Sequence, residues 1–208
     1  MRTVARTARL KRLRNIGPAV AVVLLAALST PAYAHSAKSL SLGFIGGFLH
    51  PLSGPDHLLA MISVGLWGAF LGRPLIYLLP VVFPTVMAFG GVLGMAQMPF
   101  PRVEIGIAVS VIVLGGAILL RWRAPVWLAA GIVGVFGLFH GYAHGLELPS
   151  MANPVSFSLG FVLATGMLHV LGILIGLLRD RPGGEKLLRG MGAVIAAAGG
   201  WFLYAALA

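Results

Sequence analysis

The sequence predicts an all-α, polytopic membrane helix bundle with about six mature transmembrane spans, and three observations predict it. The 208 residues are 59% hydrophobic and only 10% charged, whereas soluble domains average about 25% charged residues. So few charges cannot cover a solvated surface. The apolar stretches also recur at lengths near the roughly 20 residues that a membrane helix needs. Finally, no composition shift or linker marks off a soluble domain, so residues 35–208 read as one integral membrane domain.

The first 34 residues read as a cleavable signal peptide. Arg2, Arg6, Arg9, Lys11, Arg12 and Arg14 make a basic start, and an apolar run follows from Ile16 to Leu28. Ala32-Tyr33-Ala34 then has the small-x-small form of a cleavage site. An uncleaved first span is the alternative. Either way, His35 falls on the outer side of the membrane. As a mature N-terminus, its α-amino group and ring nitrogen together could chelate a transition metal. An ordinary residue after a cleavage site is the plainer reading.

Spans are expected near 39–71, 75–97, 103–120, 124–146, 154–178 and 187–207. The first is too long for one plain helix and holds Pro51, Gly54 and Pro55 in its middle. Proline removes a backbone donor, so two helical pieces joined by a break near Pro51–Pro55 are expected. Such breaks at membrane depth are tolerated where the backbone lines a protein cavity or ion site. Glycines such as Gly90, Gly91, Gly94, Gly115, Gly116, Gly199 and Gly200 suit close helix contacts.

The net charge of +10 comes largely from the leader. No basic stripe accompanies a soluble fold, so nucleic acid is not an expected partner. With His35 outside, the positive-inside rule orders the remaining charges. Arg73, Arg121, Arg123, Arg179, Arg181, Lys186 and Arg189 fall inside, and only Lys38 and Arg102 fall outside. The absence of cysteine excludes disulfides, thiolate nucleophiles and thiolate metal sites.

Ionisable residues inside the apolar segments carry the functional signal. His50, Asp56 and His57 sit at the break. His140, His144 and Glu147 sit in the outward half of the fourth span, and His169 lies within the fifth. An intramembrane charge costs about 2.5–3.5 kcal/mol even on a lenient scale. A lone membrane histidine is commonly a packing or hydrogen-bonding residue. Five of six histidines in spans, with two carboxylates, are harder to explain by packing. His140 and His144 are four apart and share one helical face, as a pair that binds one metal ion does. Asp56 near a helix start is favoured by the helix dipole. Nitrogen and oxygen ligands without thiolates suit Ni, Co, Zn or Fe better than Cu(I), and chemistry alone does not choose among them. The methionines read as packing residues.

At these residues the chain resembles the HupE/UreJ family of nickel permeases. His50-Pro51-Leu52-Ser53-Gly54-Pro55-Asp56-His57 matches the family's His-Pro-x-x-Gly-x-Asp-His. Phe139-His140-Gly141-Tyr142-Ala143-His144-Gly145-Leu146-Glu147 matches Phe-His-Gly-x-Ala-His-Gly-x-Glu. Ala164-Thr165-Gly166-Met167-Leu168-His169 is similar to the fifth-span pattern. The resemblance implies a secondary transporter, not an enzyme, in the bacterial inner membrane. Its substrate would be Ni²⁺, or Co²⁺ in some relatives, destined for hydrogenase or urease maturation. The metal is cargo, and no permanent cofactor is expected. The implied partners are a divalent transition-metal ion and the lipid bilayer, with a homo-oligomer allowed. The expected route runs from His35 to His140, His144 and Glu147, then to His50, Asp56 and His57, with His169 on the inward side. An intramembrane zinc-dependent hydrolase with a His/carboxylate site is the alternative.

Overall fold

A computed structural model describes residues 43–147 and 154–208, all within one compact unit. The expected leader, its cleavage site and His35 lie outside the described residues. Seven α-helices follow in order: α1 Gly43–Ser53, α2 Pro55–Leu71, α3 Leu75–Met95, α4 Val103–Leu119, α5 Val126–Glu147, α6 Pro154–Gly176 and α7 Gly184–Leu207. A short 3₁₀ turn, Leu177–Asp180, extends α6. There is no strand among the described residues.

Four helices are long and apolar enough to cross a membrane: α3, α5, α6 with its extension, and α7. Two shorter helices, α2 and α4, are equally apolar but have 17 residues each. At 1.5 Å per residue that is about 25 Å, a little under a typical hydrocarbon core.

The stretch 43–71 is two helices that meet at Gly54. Proline at 55 disfavours a helical residue before it, and Gly54 is extended at φ −99°, ψ 114°. Pro55 then opens α2 at a position where its missing N–H goes unneeded. Ser53 donates its hydroxyl to the His50 carbonyl at 2.7 Å, which satisfies an acceptor at the end of α1. Pro51 stays inside α1, so the interruption falls at Gly54 alone.

Backbone-to-backbone contacts fix the helix directions. Gly137, Gly141 and Gly145 of α5 face the carbonyls of Phe83, Met87 and Gly91 of α3. Both series ascend together, so α3 and α5 run parallel. A Cβ at Gly141 would stand 1.9 Å from the Met87 oxygen, so only glycine fits there. On α4 and α7, Leu119 lies by Gly192 and Ile112 by Gly199, so that pair is antiparallel. The C-terminal ends of α2 and α6 meet, and Arg179 beyond α6 donates to the carbonyls of Ala69 and Phe70. Glycine thus brings the helices close enough for extensive van der Waals contact without help from large side chains.

These directions gather Arg73, Arg121, Arg123, Arg179 and Arg189 around one depression at one end of the bundle. The same residues form most of the set that charge bias assigns to the inner side.

Candidate metal centre

The histidines come together because three helices converge on one interior volume. α1 carries His50 in its last turn, α2 carries Asp56 and His57 in its first, and α5 carries His140, His144 and Glu147 on its last two turns. The Phe-His-Gly-x-Ala-His-Gly-x-Glu stretch has two faces. Gly141 and Gly145 press against α3, while His140 and His144, one residue earlier in each turn, project beside that contact. One stripe of small residues therefore positions a second stripe of ligands.

The tightest set is His50, His144 and Glu147, whose potential ligand atoms all lie within 4.8 Å of one another. It is the one such three-residue set among the described residues. His50 Nε2 is 2.9 Å from His144 Nδ1, a contact between residues 94 apart in sequence. His50 Nε2 is 3.3 Å from Glu147 Oε2, and His144 Nδ1 is 3.9 Å from it. One proton bridges the two ring nitrogens. A metal with bonds of about 2.0–2.1 Å to nitrogen or oxygen places neighbouring ligand atoms about 3 Å apart, so a cation can take that proton's place with little movement. Glu147 is the last residue of α5. A carboxylate is disfavoured at a helix C-terminus, where the dipole is already negative. A bound cation removes that penalty.

A second tier lies against the first. The His57 ring centroid is 4.5 Å from that of His144 and 4.7 Å from that of His140. Asp56 Oδ1 accepts hydrogen bonds from His57 Nδ1 at 2.9 Å and from the His57 backbone N–H at 2.8 Å. The proton on Nδ1 leaves the His57 lone pair on Nε2. A carboxylate holding a histidine this way is the usual support for a metal-ligating imidazole.

His140 is fixed by a residue that sequence reasoning did not select. The Ser110 hydroxyl donates to the Ile107 carbonyl at 2.6 Å, which leaves its oxygen to accept from His140 Nε2, 3.0 Å away. That sets the tautomer, and Nδ1 of His140 carries a lone pair with no hydrogen-bond partner among the described residues. Ser110 lies on α4 and is fully buried. Only its place in an apolar span hinted at it, and a serine there is usually satisfied by its own helix.

His169 stands apart from both tiers. Phe83 separates it from His140, with ring centroids 5.5 Å and 5.4 Å from the two imidazoles. Two further aromatics wall the first tier. Phe161 packs against His144 at 4.4 Å and Phe157 against His50 at 5.7 Å. The sequence groups were the helix-break residues on one side and the α5 residues on the other. The structure regroups them: His50 joins His144 and Glu147, while His57 lies against both His140 and His144. The reason is the turn at Gly54, which sends His50 and His57 to different levels of α5.

Comparison with known proteins places the chain in a family. The family described as HupE / UreJ protein matches residues 22–202. Protein HupE of Rhizobium leguminosarum bv. viciae is 43% identical over 176 residues, which cover 84% of this chain and 92% of that protein. No solved structure matches the chain. The chain therefore belongs to the HupE/UreJ family.

Proposed function

We propose that this protein is a secondary transporter that carries Ni²⁺, or Co²⁺, across the bacterial inner membrane to supply hydrogenase or urease maturation. The observation that carries the reading is the His50–His144–Glu147 set, a chelating arrangement assembled from two helices inside an apolar bundle. Residues 1–34 act as a cleaved leader, and the mature N-terminus faces the periplasm. α1 and α2 together make the first of six crossings, with α3 to α7 making the others.

The metal enters from the periplasmic side, with His35 as a first contact, and meets His50, His144 and Glu147. It passes next to His57 and His140, which Asp56 and Ser110 hold in ligating tautomers. His169 receives it beyond Phe83. This order revises the route expected from sequence, since His50 now belongs to the outer station. Conduction needs sites that bind well enough to be entered and weakly enough to be left, and incomplete stations of three and two ligands meet that need.

The test is uptake of labelled Ni²⁺ and Co²⁺ by cells expressing this chain alone, with and without a protonophore. Uptake is expected in the parent. It should vanish in His50→Ala, Asp56→Ala and His57→Ala while each protein remains in the membrane. Normal uptake by all three variants would sink the site.

An intramembrane zinc hydrolase is the second reading. In its favour, an apolar cleft of about 280 Å³ between α3, α5 and α6 reaches His144. Against it, Asp56 is engaged with His57 and Glu147 belongs to the ligand set, so neither carboxylate is set aside to activate water. Zinc retained stoichiometrically through purification would favour the hydrolase over the transporter.

A further inference from the structure

We propose that the basic end of the bundle is a binding site for the phosphate headgroup of an anionic phospholipid. The site goes beyond metal transport and rests only on the reading that these helices span a membrane.

The depression there measures about 540 Å³ and lies among the ends of α2 and α4 and the starts of α3, α5 and α7. That volume falls in the range of small-ligand pockets. Five guanidinium groups line it, from Arg73, Arg121, Arg123, Arg179 and Arg189, against the carboxylates of Asp180 and Glu185. Five positive charges against two negative leave an excess of three.

Part of this charge has structural work. Arg121 pairs with Glu185 at 2.8 Å, and Arg179 lies 3.4 Å from Asp180. Arg179 also caps the carbonyl end of α2, and Arg189 Nε donates to the Leu119 carbonyl at 3.1 Å, capping α4. Arg73 and Arg123 are left over. Neither pairs with a carboxylate among the described residues; Arg73 rests over the exposed Tyr77 ring and donates to its hydroxyl at 3.4 Å. Both line the same depression, so two guanidinium groups without a carboxylate partner among the described residues converge there.

Guanidinium groups recognise phosphate oxygens through paired N–H donors. Beneath the charged rim, the depression is floored by apolar side chains that include Leu66, Leu75, Ile118 and Leu188. A cationic rim over an apolar floor matches the change in polarity from a lipid phosphate to its glycerol ester. A bilayer also presents headgroups at this level at very high local concentration, which favours lipid over a soluble anion. Basic pockets between membrane helices on the inner side bind headgroups in this way.

The site can be tested on the full chain purified in non-ionic detergent. Trp122 lies between Arg121 and Arg123, and its backbone carbonyl accepts from the Trp67 indole, so tryptophan fluorescence reports on the rim. Titration with phosphatidylglycerol should give a saturable change that phosphatidylcholine of the same chain length does not. The double variant Arg73→Gln with Arg123→Gln should weaken it about thirtyfold, from about fivefold for each basic side chain at an anionic surface. Lys186→Gln, an exposed charge at the same end but outside the depression, should weaken it by no more than the roughly fivefold of a single surface charge. Replacing both arginines by lysine should restore part of the affinity. Equal response to the two lipids, or unchanged binding in the double glutamine variant, would overturn the site. Saturation by inorganic phosphate at the same concentration would overturn the lipid as its ligand. A chain released from membranes by alkaline carbonate would overturn the membrane reading, and this site with it.

Discussion

Ser110→Ala tests how His140 is held. The substitution removes one oxygen and leaves the α4 backbone and nearly all packing in place. His140 Nε2–H then loses its one acceptor among the described residues, at a fully buried position. An unsatisfied buried donor costs about 1–3 kcal/mol. The imidazole relieves part of that cost by moving its proton to Nδ1, which removes the lone pair from the atom assigned to the metal. Loss of a supporting hydrogen bond behind a ligand typically lowers metal affinity or activity about 10–100-fold, and initial Ni²⁺ uptake should fall by that factor. The assay is labelled-metal uptake normalised to membrane-embedded protein by immunoblot. Ser63→Ala is the matched control. Ser63 is as deeply buried, but its hydroxyl has no hydrogen-bond partner among the described residues, so its removal should leave uptake and protein level unchanged. Full uptake by Ser110→Ala at parental protein levels would refute the assigned tautomer and role of His140.

Other perturbations separate ligand chemistry from packing. Glu147→Gln keeps the shape but removes the charge that offsets a divalent cation, so uptake should drop at least tenfold with normal protein abundance, read by the same uptake assay. Acidification should slow uptake progressively, because neutral imidazole and ionised carboxylate are the binding forms and protons compete for them; a pH series of initial rates checks this, and uptake that rises with acidity would argue for proton-driven steps outweighing ligand protonation. Gly141→Leu must push α5 away from α3, since even a Cβ would lie 1.9 Å from the Met87 oxygen. Overpacking of this kind costs about 1–3 kcal/mol or more. Its signature should be loss of protein and thermal stability in detergent, unlike the ligand variants.

Much of the candidate site was legible because intramembrane ionisable groups are costly. His50, His57, His140 and His169 are all buried, and each had been singled out for lying in an apolar segment. The break at Gly54 was legible from proline chemistry, although Pro51 is accommodated within α1. Helix bounds read from apolar runs fall close to those observed for α3, α4 and α5. Pairing was not legible. The contact between His50 and His144 spans 94 positions, and helical periodicity carries no information about which face meets which across that distance. For the same reason the shared face of His140 and His144 suggested one chelate, whereas His140 turns to Ser110 and His144 to His50. Ser110 was hidden because a hydroxyl in an apolar helix is ordinarily satisfied by its own backbone. Charge bias collected the inner arginines into one list, but only the parallel and antiparallel contacts made by the glycines draw five of them around a single depression.

Under the proposed function, this chain alone moves the metal through the His50–His144–Glu147 station. The most direct measurement is metal influx into liposomes reconstituted with the purified protein and loaded with a nickel-sensitive fluorophore. The parent should fill the vesicles with Ni²⁺ at a saturable rate, and the double variant His50→Ala with Glu147→Gln should fill them no faster than protein-free vesicles. Equal influx through the parent and the double variant, with both properly inserted, would contradict the account.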